Sequence, residues 1–226
     1  KRPAMVVAAK TANRIRMSSS NPLSNQLRCF NVCQPPGPVV VTIITGHIPQ
    51  LSVKHVAVMG SKKSGKTFVA AYLVERFSRD GYRVAAVKHI HHEFTIDTEG
   101  KDTWKMARSG AEIVASVSPN ETAVLLYNSR IWSSNLLRLT EFLEREGIEV
   151  AVYEGFHNLL GKSPNVYKII TMKENSDAEM LKSLAPPFLA VFRREASLWP
   201  ETGLPVFGPE LSDEFYHHVK EKLGMG

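Results

Sequence analysis

Between His55 and Arg79 the chain reads as an apolar run, a polar turn bounded by glycines, and an amphipathic helix. That succession restricts the available folds more than any other feature. The turn is Gly60-Ser61-Lys62-Lys63-Ser64-Gly65-Lys66-Thr67, a G-x-x-x-x-G-K-[ST] phosphate-binding pattern, and it follows His55-Val56-Ala57-Val58-Met59. Its glycines allow a tight turn and close approach of backbone to a polyanion, while the amides of Lys63 to Thr67 and the following helix start offer N–H groups and partial positive charge. Lys66 has the reach to meet outer phosphates, and the Thr67 hydroxyl can ligate Mg²⁺. We therefore expect nucleotide-binding residues from Gly60 through Phe68, where the helix-like stretch begins.

The rest of the chain alternates short apolar strands with helical patterns. Strands are expected at Lys54–Met59, Tyr82–Lys88, Glu149–Glu154, Val166–Met172, Phe188–Phe192 and Leu204–Phe207. Helices are expected at Thr67–Arg79, Thr103–Arg108, from a Ser134 cap to Glu146 with Gly147 as the stop, at Ala178–Leu184, and over Phe215–Leu223. Glu112–Ser118 and Thr122–Tyr127, joined by Pro119-Asn120, read as an antiparallel hairpin. The pattern predicts an α/β three-layer sandwich of the P-loop NTPase type, with a mainly parallel sheet covered on both faces and one hairpin beside it.

The formal charge of +6 suggests nucleic acid until it is located. Residues 1–50 hold Lys1, Arg2, Lys10, Arg14, Arg16 and Arg28 and no acidic side chain, so all of the excess belongs to them. We divide the chain into a basic, acid-free arm, 1–52, expected to be disordered or extraneous, and a nucleotide-binding domain, 53–226. The arm's composition also resembles a transit peptide. The neutral body argues against nucleic-acid binding, although an ATPase using the arm as a phosphate-tracking tail is an alternative. Cys29 and Cys33 form a C-x₃-C pair with no second pair to complete four zinc ligands. The run Pro38–Thr45 is far shorter than the ~20 residues of a membrane helix. The expected location is the cytoplasm.

Ligands of open α/β sheets bind beyond the carboxyl ends of the strands. Glu154 ends an apolar strand there and is a candidate Mg²⁺ or water-positioning carboxylate. The loop after Lys88 is dense in His89, His91, His92, Glu93, Asp97, Lys101 and Asp102. Asp97 or Asp102 can hold Mg²⁺ through water, and Lys88 or Lys101 can contact phosphate; the histidines also admit a zinc reading. A P-loop kinase or other small-molecule transferase would need clustered arginines in a lid, whereas Arg83, Arg108, Arg130, Arg138, Arg145, Arg193 and Arg194 are scattered.

The succession Lys88-His89-Ile90-His91-His92, Asp97, Gly100-Lys101-Asp102-Thr103 and Ser109-Gly110-Ala111, with Glu154-Gly155-Phe156 later, resembles the molybdopterin-guanine dinucleotide biosynthesis protein B (MobB) family. The similarity runs from about Val53 to Gly226 and leaves the arm uncovered. His157 stands where that family often has a basic residue. The resemblance implies a GTP-binding, Mg²⁺-dependent protein with weak GTPase activity, usually a homodimer. It would act beside a separate nucleotidyltransferase, the A protein, in attaching GMP to molybdopterin. It would make Gly60, Ser64, Gly65, Lys66 and Thr67 the phosphate cradle, Lys66, Asp97 and Glu154 the catalytic groups, and Thr67, Asp97 and Glu154 the metal site. Lys88, His89, Lys101 and Asp102 would lie near nucleotide or cofactor. The N-K-x-D guanine signature is absent, so the base must be recognised in another way.

Overall fold

The computed structural model of the chain describes residues 53–90, 95–127, 132–195, 197 and 202–226. The arm, the Pro38–Thr45 run, the cysteine pair and the readings of His91 and His92 lie outside them.

Six strands form one sheet whose pairings are all parallel: β1 (Lys54–Gly60), β2 (Val84–Lys88), β5 (Val150–Glu154), β6 (Val166–Met172), β7 (Phe188–Arg193) and β8 (Val206–Phe207). Their order is β2-β5-β1-β6-β7-β8. The β1 strand is flanked on both sides, with Val58 opposite Glu154 in β5 and opposite Ile169 in β6. A strand buried on both faces has no polar alternation, and Val56, Ala57, Val58 and Met59 are all buried. The expected hairpin is present as β3 (Ile113–Val117) and β4 (Thr122–Leu126), a separate antiparallel pair.

Helices cover both faces of the sheet. On one face, α1 (Lys66–Arg79) lays Val69, Leu73 and Phe77 against Val56, Val58, Val152 and Ile169, joined by Phe215, Tyr216 and Val219 of α5 (Asp213–Lys222). Complete burial of Phe77 alone contributes on the order of 1.5–3 kcal/mol. On the other face, Ala57, Met59, Tyr153 and Ile170 meet Leu136, Leu139 and Leu143 of α3 (Trp132–Arg145), together with Met180 and Leu181 of a 3₁₀ segment (Asn175–Ser183). This is the three-layer α/β arrangement.

Local differences from the sequence reading have physical causes. The α3 helix starts at Trp132, so Ser134 lies within it rather than capping it. Gly147 does terminate it, at φ 68°, with its amide on the Glu144 carbonyl. The span expected as a short helix at Ala178–Leu184 is instead a 3₁₀ turn system opened by a reciprocal Glu174–Asp177 capping box. The sequence reading had no counterpart for α2's first residue, Asp102, in α2 (Asp102–Arg108), or for α4 (His157–Leu160). The latter follows Phe156, a non-glycine residue at φ 61°, and no periodicity announces such a turn.

Candidate functional site

Parallel strands place all their carboxyl ends at one edge, and the Gly60–Thr67 loop leaves β1 at the middle of that edge. Gly60 is required there: a Cβ would overlap the hydroxyl and carbonyl oxygens of Thr171 in β6, and Ser64 Oγ. Gly65, at φ 101°, turns the chain into α1, and a Cβ on it would come within 3.1 Å of the Phe192 ring. The buried Ser64 hydroxyl pins the loop, lying 2.8 Å from the Ser61 carbonyl and 2.5 Å from Thr171 Oγ1. Thr171 also lies 3.2 Å from the Met59 carbonyl. The amides that open α1 have no carbonyl four residues earlier to bond within the helix, so the loop presents donors.

Lys66 folds across this loop and donates to the carbonyls of Gly60 at 3.1 Å and Ser61 at 2.6 Å. Burial lowers its pKa, and the nearby Glu154 carboxylate opposes that shift. Both partners are neutral, so an anion at the loop would be a stronger acceptor for the same ammonium. Ser61 Oγ is buried with no hydrogen-bond partner among the described residues. An orphaned hydroxyl inside a glycine-bounded turn fits a loop built around an oxygen-rich ligand.

Beside the loop, the Thr67 hydroxyl donates to Glu154 Oε1 at 2.8 Å, and Lys88 Nζ lies 3.2 Å from Glu154 Oε2. The register of β2 with β5 sets Lys88 opposite Glu154, so the pairing is fixed by the sheet. Only 14% of the Glu154 side chain is exposed, against 58% for Lys88. Gly155, at φ 90°, bonds back to the Val58 carbonyl, and the His89 amide donates to the Glu154 carbonyl at 3.0 Å. The His89 ring stacks on Phe156 at 4.8 Å.

A cleft of about 1510 Å³ runs along this edge. Its lining brings together Gly60, Ser61, Lys62, Lys63, Gly65, Lys66, Thr67, Phe68, Lys88, His89 and Glu154 of the expected set. That volume exceeds the ~300–1,000 Å³ of ordinary small-molecule sites. Asp97, Lys101 and Asp102 are not part of this lining. Asp97 instead organises its own loop, accepting from Thr103 Oγ1 at 2.7 Å, Tyr127 Oη at 2.8 Å and the Thr98 amide at 2.9 Å. Those bonds, the Thr103 hydroxyl first, hold its pKa below the usual carboxylate value. Lys101 precedes α2, and Asp102 pairs with Lys105 at 3.3 Å beside a separate shallow cavity.

Thr67 and Glu154 are the side chains able to face a cation at the phosphate loop. Among the described residues there is no group of three or more His, Cys, Asp or Glu that could hold a metal ion. A donor set of one hydroxyl and one carboxylate suits Mg²⁺, which keeps several waters and shares phosphate oxygens. The cleft also contains residues that the sequence reading did not assign to it: Phe192, Arg194, Pro209, Met180 and His157. Arg194 follows directly after β7, and its position just beyond a strand's carboxyl end was the available signal. It donates to the Lys63 carbonyl. No helix among the described residues is long and apolar enough to cross a membrane.

Residues 55–192 match the family model described as molybdopterin guanine dinucleotide synthesis protein B. A Bacillus subtilis protein called a probable molybdopterin-guanine dinucleotide biosynthesis adapter protein is 30% identical over 155 residues, covering 67% of this chain and 83% of that protein. The adapter protein of Haemophilus influenzae is 28% identical over 116 residues, 51% of this chain and 61% of that one. The crystal structure of Bacillus subtilis MobB superposes with a TM-score of 0.53 at 28% identity, covering 68% of this chain and 88% of that one. A MobB homologue from Bacillus stearothermophilus gives 0.57 at 21% identity, covering 77% and 100%, and shares the fold.

Proposed function

Since the chain belongs to the molybdopterin guanine dinucleotide synthesis protein B family, we propose that it acts as an adapter in molybdopterin-guanine dinucleotide biosynthesis, binding GTP with Mg²⁺ and hydrolysing it weakly. The observation that carries the nucleotide reading is the convergence of the glycine-bounded loop, Lys66, Thr67 and the Glu154–Lys88 pair on one cleft. The names of the relatives carry the pathway.

In this reading the loop amides and Lys66 hold the phosphates. Lys66 exchanges its two carbonyl partners for phosphate oxygens, which returns a counter-charge to an ammonium whose pKa burial has lowered. Thr67 and Glu154 would hold Mg²⁺, which would neutralise charge on the phosphates when bound. Lys88 keeps the Glu154 carboxylate oriented across the sheet edge, and Glu154 orients a water for hydrolysis. Asp97, expected as a second Mg²⁺ or water-positioning carboxylate, stands outside the cleft lining with both oxygens bonded to its own loop and Tyr127, while Lys101 and Asp102 are proposed to contact nucleotide or cofactor from that adjoining segment. The partners are a nucleotidyltransferase of the same pathway and molybdopterin or its guanine dinucleotide, and the location is cytoplasmic. A homodimer is supported by the outer face of the β3–β4 hairpin, where Ile113, Val117, Val124 and Leu126 are exposed.

Calorimetric titration with GTP, ATP and GDP, with and without Mg²⁺, tests this reading. GTP should bind, Mg²⁺ should tighten it, and Lys66→Ala should abolish binding while leaving the circular dichroism spectrum unchanged. No nucleotide binding, a preference for ATP, or undiminished GTP affinity in Lys66→Ala would overturn it.

A further inference from the structure

The cleft has two chemically unlike ends. On the β5–β2 side of the loop stand Glu154, Lys88 and Thr67, a constellation suited to phosphate and cation. On the β6–β7 side stand Phe68, Phe192, Pro209 and Arg194. Phe68 is 55% exposed, unusual for a phenylalanine on an amphipathic helix, and its ring lies 6.0 Å from that of the buried Phe192. The strand order fixes this asymmetry, because β5 and β2 lie to one side of β1 while β6, β7 and β8 lie to the other. With phosphates on the loop and a cation at Glu154, the β7 side is the aromatic-lined end of the cleft left for a base.

Arg194 defines that end. One guanidinium nitrogen is held by the Lys63 carbonyl of the phosphate loop. A guanidinium has five N–H donors in a rigid fork, so the bond to Lys63 fixes the fork and leaves donors for a ligand. The side chain is exposed at the cleft, and among the described residues no ion pair within 4.0 Å joins it to a carboxylate. Paired N–H donors match guanine, which presents O6 and N7 as adjacent acceptors; adenine presents an N6 amino donor in place of O6 and repels the same fork.

We propose that the β7 end of the cleft is a nucleobase subsite in which Phe68 and Pro209 flank the base and Arg194 selects guanine through O6 and N7. This rests on the reading of the loop as a nucleotide site and supplies the base recognition that the absent N-K-x-D signature leaves open.

The test measures dissociation constants for GTP, ITP, ATP and tripolyphosphate, all with Mg²⁺, on the full chain and on Arg194→Ala and Arg194→Gln. ITP keeps O6 and N7 and should bind like GTP, with ATP weaker. Arg194→Ala should weaken GTP and ITP by about 5- to 150-fold, the span of one bidentate base contact. It should change ATP and tripolyphosphate by less than about twofold. Arg194→Gln, whose amide matches N6 and N7 of adenine, should shift preference toward ATP. Equal losses for GTP, ATP and tripolyphosphate would make Arg194 a phosphate contact and overturn the proposal, as would unchanged GTP affinity in Arg194→Ala. A wild-type chain that binds tripolyphosphate yet does not distinguish GTP from ATP overturns the base subsite alone. One that binds neither overturns the nucleotide reading beneath it.

Discussion

Glu154 meets a hydroxyl through one oxygen and an ammonium through the other, and both partners come from elements that the sheet holds in place. Replacing it with glutamine keeps an oxygen for Thr67 but removes the charge opposite Lys88. In the proposed reaction Glu154→Gln should leave metal-free GTP affinity nearly intact and slow single-turnover hydrolysis by roughly 10²-fold. Loss of Mg²⁺-dependent binding in that variant would instead mark Glu154 chiefly as a metal ligand. Gly60 makes a different demand, since Thr171 and Ser64 occupy the space of a Cβ. Gly60→Ala should lower stability by about 1–3 kcal/mol by overpacking, read as a reduced urea midpoint, and should distort the loop. The spacing of the loop was readable because its chemistry needs neighbours in sequence. Asp97 was not comparably readable: its partners include Tyr127, thirty residues away, and only the folded chain brings that hydroxyl to the carboxylate.

Among the elements, the β3–β4 hairpin departs most from the two-sided burial of the sheet. Register pairs Ile113 with Leu126 and Ala115 with Val124 on one face, and Ile113, Leu126 and Val124 are each more than half exposed. Val114, on the opposite face, is buried. The hairpin's existence was legible from alternation and the Pro119-Asn120 turn, but which face would find a partner within the chain was not. In the proposed homodimer this outer face is the contact. Val124→Asp should then convert a dimer to a monomer in light scattering, with the melting transition of the sheet retained, and a persisting dimer would move the interface elsewhere. The strand and helix positions around the sheet were legible for the same reason as the hairpin, since periodicity follows burial. Two kinds of feature escaped it. The Phe156 turn ahead of α4 depends on a left-handed backbone without glycine, and β8, expected over Leu204–Phe207, keeps only Val206–Phe207, too short a strand for a period to set its bounds.

At the scale of the molecule, α5 is fastened to α1 by groups far apart in sequence. Asp80 accepts from Tyr216 Oη at 2.8 Å and Lys220 Nζ at 2.7 Å, while Arg76 pairs with Asp213 and covers the Tyr216 ring at 4.7 Å. The Lys220 ammonium, then the Tyr216 hydroxyl, hold the Asp80 pKa below its ordinary value, and Arg76 does the same for Asp213. A depressed carboxylate pKa contributes stability that is present above the unfolded-state value, about 3.9, and is lost as pH falls through the folded-state value. Asp80→Asn should therefore lower stability at neutral pH and flatten the acid limb of a pH–stability curve. An acid limb unchanged by that substitution would remove Asp80 from the account. The sequence places Asp80 at a helix end but gives no hint of Lys220. The central position of β1 has a further consequence for assembly. The cleft draws on segments near residues 60, 88, 154, 192 and 209, and only the last pair are near neighbours in the chain. Closing such long loops comes before their contacts are gained, which favours slow folding with the phosphate cradle completed late. During synthesis the loop at Gly60–Thr67 emerges long before Phe192, which lies under Gly65, and before Arg194, which fastens Lys63. The complete cradle and cleft therefore form only after the segments through Pro209 have emerged.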